Sequence, residues 1–254
     1  MFGWGKPVCP CEGEAKAWIE DKLRWLSQQF GLNILTERPI ILPTAEFFPD
    51  PWDASQNAVR AMFDRVCRYM NVDPDRVDLR FKSEYIPEWQ RVLSPNAGYA
   101  AATWQMRHNP NKPAIVTGDR SIVDNPSDLV GSLAHELSHE KLLGERRKSS
   151  ADFDNELLTD LTAIYHGFGI FLANNPRKHL GKISYWPNSK SRKPEYISEP
   201  MAGYALAHIA WFRDETKPAW AKHLRWTPRS VFKQGLKFLN ETSASTFKPA
   251  RLRD

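Results

Sequence analysis

The sequence predicts an α+β fold, a small, mostly antiparallel sheet packed on a pair of helices, with further helices before and after. Three observations predict it. Six segments repeat apolar residues at helical spacing. The short strand-like runs fall together between residues 76 and 119. A capped helix directly after them carries His-Glu-x-x-His as His135, Glu136 and His139. The 254 residues are enough for one core, and 41% hydrophobic against 26% charged residues is the balance of a globular chain.

The first helix spans 14–30, with Trp18, Leu23, Trp25, Leu26 and Phe30 repeating on one side and Gly31 ending it. Three prolines in 41–53 make an extended connector. Asp53 is placed to cap a second helix, which carries Val59, Met62, Phe63, Val66 and Met70 on one face. Strands follow at 76–81, 97–106 and 113–119, the last two joined by the turn-rich "RHNPNK". Asn125 as N-cap, Pro126 at the first helical position and Asp128 two further on start the third helix, and Gly144 stops it. A fourth helix runs from Asp154 to Asn174, and two more occupy 196–212 and 227–241. The expected organisation is one domain over 1–241: an N-terminal helical part (1–75), a sheet with its two helices (76–175) and a C-terminal helical part (176–241). Residues 242–254 read as a disordered tail.

Composition narrows the function classes. A net charge of +5 and a pI of about 9.1 tolerate an anionic partner without requiring one. No basic motif interleaved with aromatics points to nucleic acid. The six Lys and Arg of 177–193 read as a solvated basic loop. Three cysteines, Cys9, Cys11 and Cys67, are too few for a disulfide framework and fit a reducing compartment. No signal-peptide pattern and no run of 18 apolar residues are present, so the expectation is a cytoplasmic protein without a membrane span. The ten tryptophans read as core.

Residues four apart on a helix share a face, so His135 and His139 can aim both imidazoles at one ion. Glu136, about 100° further round, is adjacent to the ion without having to bind it. Two histidines and one carboxylate leave a position for water, whose pKa zinc lowers and whose proton a neighbouring Glu can take. Leu129, Leu133 and Leu137 line a neighbouring face, and Ser132, Ala134 and Ser138 permit close packing. A third ligand is sought in "DNELLTD", where Glu156 and Asp160 again stand four apart on the next helix. His166 lies about 15 Å along the helix axis from Glu156 and is read as structural.

His-Glu-x-x-His followed by Glu-x-x-x-Asp resembles the gluzincin metallopeptidases, the thermolysin-like branch of the zincins, in a compact form. The resemblance covers residues 97 to 172. It implies a zincin-like fold, a bound Zn2+ held by His135, His139 and Glu156, and Glu136 as general base. It also implies Asp160 as the carboxylate that fixes the ring of His135. A His or Tyr from the C-terminal part is expected to stabilise the oxyanion, for which Tyr204, His208 and Tyr165 are the candidates. The strand before the metal helix is expected at the sheet edge, with Val116, Thr117 and Gly118 contacting a substrate backbone.

Two function classes follow. The first is a cytoplasmic zinc metallopeptidase acting on a peptide or protein, or, less closely matched, a zinc hydrolase of another amide. The second is a zincin-like binding or regulatory protein whose metal site is structural or degenerate.

Overall fold

The protein is described by a computed structural model covering residues 6–11, 13–81, 102–105, 112–118, 120–176 and 184–252. It is a mixed α+β structure with a small three-stranded sheet. The chain forms two compact units, interleaved in sequence instead of following three successive parts. One comprises Met1–Leu42, Ile164–Arg177 and Ile183–Asp254. The other comprises Pro43–Ala163 and Lys178–Lys182.

The second unit carries the sheet and the histidine motif. Helix α3 (Gln56–Met70) buries Val59, Met62, Phe63, Val66 and Met70, the apolar stripe expected from its spacing. Its N-cap is Ser55, whose Oγ accepts the Ala58 amide, in place of the expected Asp53. Asp53 instead accepts the amide of Ser55 and shapes the turn before it. Strands β1 (Val77–Phe81), β2 (Ala102–Gln105) and β3 (Ala114–Gly118) form the sheet. The parts of the expected strand 97–106 before and after β2, and most of the linker that follows it, lie outside the described residues.

The sheet corrects one expectation. Strand β3 is central: β1 pairs with it in parallel, Val77 opposite Ala114, and β2 antiparallel, Gln105 opposite Ile115. The sheet is therefore mixed, and Val116, Thr117 and Gly118 are paired on both sides instead of offering an open edge. Their ladder groups are committed to β1 and β2, so an extended substrate cannot add to them. Among the described strands the edges are β1 and β2, and β2 packs against helix α4 (Pro126–His139).

Helix α4 starts as its sequence predicts, with Asn125 Oδ1 accepting the amides of Ser127 and Asp128 and with Pro126 in the first turn. From Leu129 to His139 every residue is buried, and α3 packs alongside. The helix then widens into a π-turn, Glu140–Gly144, closed by the Glu145 amide on the Glu140 carbonyl. Buried Glu140 pairs with Arg76 at 3.0 Å. Gly144 lies beside it, and a Cβ there would come within 3 Å of the Glu140 carboxylate, which would have to shift. Helix α5 (Asn155–Ala163) packs on α4.

The expected single helix 154–174 is in fact three pieces: α5, a π-turn at Ile164–Phe168, and α6 (Gly169–Asn174). Gly167 makes the break. Its φ is +100°, and a Cβ would meet the Pro39 carbonyl oxygen at 2.7 Å, a position only glycine tolerates.

The other unit is largely helical. Helix α1 (Gly13–Phe30) buries Ile19, Leu23 and Leu26 completely, each contributing about 1.5–3 kcal/mol of transfer free energy. A short helix α2 (Leu32–Glu37), unanticipated by the pattern, follows Gly31. Helices α7 (Glu199–Phe212) and α8 (Trp226–Thr242) pack on one another, and α7 also packs on α1. Within the basic stretch, Ser184–Tyr185 (β4) and Arg192–Lys193 (β5) pair antiparallel. Ser189 and Ser191 both donate to Glu14, and Trp186 packs on Trp18, so this part is an anchored ribbon; 177–183 lie outside the described residues. The expected disordered tail is corrected over its described part. Phe247 is buried and stacks on Phe212 with centroids 4.5 Å apart, while Ser245 and Thr246 hydrogen-bond into the core. No helix among the described residues is long and apolar enough to cross a membrane.

Candidate metal centre

His135 and His139 leave α4 one turn apart and meet Glu156 from the first turn of α5. Both histidines are buried, and the Glu156 side chain is about one-third exposed (31%), which leaves the cluster open on one side. One donor atom from each of the three lies within 4.8 Å of the other two. His135 Nε2 is 3.2 Å from Glu156 Oε2, and His139 Nε2 is 3.5 Å from the same oxygen.

The outer hydrogen bonds determine what those nitrogens carry. His135 Nδ1 donates to Asp160 Oδ1 at 2.7 Å, a bond between two groups that are each 1% exposed. His139 Nδ1 faces Thr159 Oγ1 at 3.3 Å. That hydroxyl has one proton and gives it to the Asn155 carbonyl at 2.8 Å, so His139 must be the donor to Thr159. In each neutral ring the proton therefore sits on Nδ1, and Nε2 turns a bare lone pair toward Glu156.

Glu156 is itself an acceptor. Burial by itself raises its carboxyl; only a proton on Nε2 of His135 or His139, as in the imidazolium form, would bond it and hold it well below the usual carboxylate range. Asn155 Nδ2 steadies the other oxygen at 3.1 Å.

Two nitrogen lone pairs and an anionic oxygen thus converge on one point. Such a set repels itself unless a cation or a proton lies within it. Ligands about 2.0–2.2 Å from a tetrahedral zinc stand ~3.3–3.6 Å from one another, close to the two separations found. Two imidazole nitrogens and one carboxylate are also a donor set that zinc accepts with a fourth position left over. The residues present fit the ion.

Behind this core Asp160 stands against His135. Glu136 follows His135 on α4 and is 2% exposed. Two contributors were missed. Thr159 shares a face with Glu156 and Asp160 at i, i+3 and i+4, a signal the sequence does contain. Trp104 of β2 stacks on His139, centroids 6.1 Å apart and planes 24° apart, and its buried Nε1–H has no acceptor among the described residues. Strand pairing alone puts it there, and no local pattern announces it.

The C-terminal candidates are engaged within the other unit. The Tyr204 hydroxyl donates to Glu20 at 2.8 Å, His208 Nε2 meets Ser245 Oγ at 3.0 Å, and the Tyr165 hydroxyl donates to the Gly31 carbonyl at 2.8 Å. Burial pushes the His208 pKa down to about 4 and raises the Tyr165 hydroxyl well above its ordinary value. His166, read as structural, has Nδ1 2.9 Å from the Arg38 guanidinium and its ring against Phe30.

Comparison of the chain with models of protein families, with curated proteins and with solved structures returned no match.

Proposed function

We propose that the protein is a zinc-dependent peptidase of the zincin type. The observation that carries this reading is the convergence of His135 Nε2, His139 Nε2 and Glu156 Oε2, each held by a partner behind it, one residue from buried Glu136. Zinc held by these three side chains supplies Lewis-acid activation of a water molecule and of a carbonyl group.

The chain's own residues do the rest. Asp160 and Thr159 fix the tautomers and ring planes of His135 and His139, so the ligand geometry is set before the ion arrives. Glu136 takes the proton of the attacking water and returns it to the departing amine. Trp104 covers one face of His139 and excludes water from that side. Strand β2, an edge of the described sheet lying against α4, is the recognition edge for an extended peptide, in the role first expected of β3.

The test is cleavage of a peptide library by the zinc-loaded wild type and by Glu136→Gln, read by mass spectrometry. The variant is expected to lose at least about 100-fold in kcat while binding zinc like the wild type. Hydrolysis retained in the variant would sink the general-base assignment. A zinc-loaded wild type that cuts nothing would favour the binding-protein reading.

A further inference from the structure

The helical unit contains a groove of about 830 Å³ along α8, walled on the other side by residues 216–218 and the 3₁₀ turn Ala219–His223. That volume lies in the range of small-molecule sites. The two walls are tied together. The Arg229 guanidinium of α8 donates to the carbonyls of Lys222 and Leu224. The Phe232 ring packs on Trp220 of the turn, with centroids 5.0 Å apart.

Floor and rim differ in character. Phe232 and Leu236, one turn apart on α8, are buried and make an apolar floor with Pro218 and Ala221. The rim carries five cations, Lys217, Lys222, Arg229, Lys233 and Lys237, against one carboxylate, Glu241. Lys237 stands 3.9 Å from Glu241, and Arg229 is occupied with the two carbonyls. Lys217, Lys222 and Lys233 are exposed and face no carboxylate within 4.0 Å among the described residues. The acids just before the groove are engaged elsewhere. Glu215 accepts the Trp220 indole N–H at 2.8 Å, and Asp214 pairs with Arg251 at 2.9 Å. A merely solvated basic face needs no apolar floor, and a neutral ligand needs no cations. A ligand that uses both has an apolar body and an anionic head, with lysine stems lying along the body and ammonium groups meeting the head.

We propose that this groove binds single-chain amphiphilic anions of the fatty-acid class, taken singly from solution. The alkyl chain lies on Phe232 and Leu236, and the carboxylate stays at the wet rim among Lys217, Lys222 and Lys233. Burial of the chain supplies most of the affinity, and the exposed ion pairs select the charge of the head. A nucleic acid would find no ring in the groove to stack on, since Phe232 is only 2% exposed. None of this depends on the zinc reading, which concerns the other unit.

The test is calorimetric titration of the full-length protein at pH 7 with hexanoate, octanoate and decanoate, each below its micelle-forming concentration. Acetate probes the head alone, and decyltrimethylammonium probes the chain with the opposite charge. Decanoate is expected to bind at one site and the two control probes not to bind. Affinity should rise by up to about fourfold for each added CH2. Lys222→Glu with Lys233→Glu, both at exposed positions, should weaken decanoate about tenfold. Ala219→Trp fills the groove from an exposed position and should abolish binding, with both variants folded by circular dichroism. An affinity independent of chain length, equal binding of the decyl cation, or binding unaltered in the charge-reversed protein would overturn the proposal. So would a wild type that ignores decanoate; if that protein sediments with phosphatidylglycerol vesicles, the patch is a membrane surface instead.

Discussion

Each unit contains a carboxylate surrounded by polar partners, and the two differ in the balance of protons. In the helical unit Glu20 is fully buried, and four donors reach its two oxygens. Lys16 and Tyr204 bind Oε1 at 2.7 and 2.8 Å, and the Thr246 amide and hydroxyl bind Oε2 at 2.8 and 2.9 Å. Burial alone would raise the Glu20 carboxyl, but these donors outweigh it and hold it below its ordinary value. Every lone pair that matters has a proton facing it, so the arrangement needs nothing further. In the sheet-bearing unit, His135, His139 and Glu156 turn three acceptors toward one point, while the ring protons point away from it, from each Nδ1 to Asp160 and Thr159. A buried network with a surplus of donors locks a fold, whereas one with a surplus of acceptors implies a ligand that brings positive charge.

That contrast can be broken most strongly at Glu20. Glu20→Ala leaves the Tyr204 hydroxyl and the Thr246 donors without their acceptor in the core and should cost about 3 kcal/mol in urea unfolding. Zinc bound per folded chain should stay at the wild-type level. A loss of metal in this variant would mean that the networks are not separate in function.

The next effect is at Asp160. Asp160→Asn keeps the size of the side chain but weakens its hold on His135 Nδ1, and zinc affinity should fall about 10–100-fold in a chelator competition, with little change in stability of the metal-free protein. An unchanged affinity would remove Asp160 from the site.

A smaller effect sharpens the structural side of the comparison. Buried His208 has a pKa lowered to about 4, against an ordinary value near 6.5. The unfolded chain therefore binds a proton on His208 in the window between those values while the native state refuses it. Stability then falls as pH falls through that window. The share expected from His208 between pH 7 and pH 5.5 is about 1 kcal/mol, and His208→Gln should flatten the slope of unfolding free energy against pH by that amount. An unaltered slope would show that His208 does not remain neutral in the core.

The same comparison explains what the sequence made legible. The cluster of His135, His139 and Glu156 was readable because its logic is local. His135 and His139, and Glu156 and Asp160, each stand one helical turn apart, and the caps at Asn125 and Pro126 fix the helix that carries the first pair. Glu20 was not readable as the centre of a network, because a Glu on an amphipathic helix looks like its solvated face until Thr246 arrives from 226 residues away. Strand order failed for the same reason. Nothing in "PAIVTGD" shows that Val77–Phe81 will pair along its second edge, so β3 looked like an edge strand when it is central. The polar composition of the tail concealed Phe247, whose burial depends on Phe212 and on the core around it.

The most direct measurement is metal content by mass spectrometry on wild type and Glu156→Ala, each purified without added metal. Near one zinc per chain in the wild type, lost in Glu156→Ala while the variant stays folded by circular dichroism, is the result expected from three converging acceptors. A wild type that carries no zinc and takes up none on titration would contradict the account, and His135, His139 and Glu156 would then be joined by a shared proton.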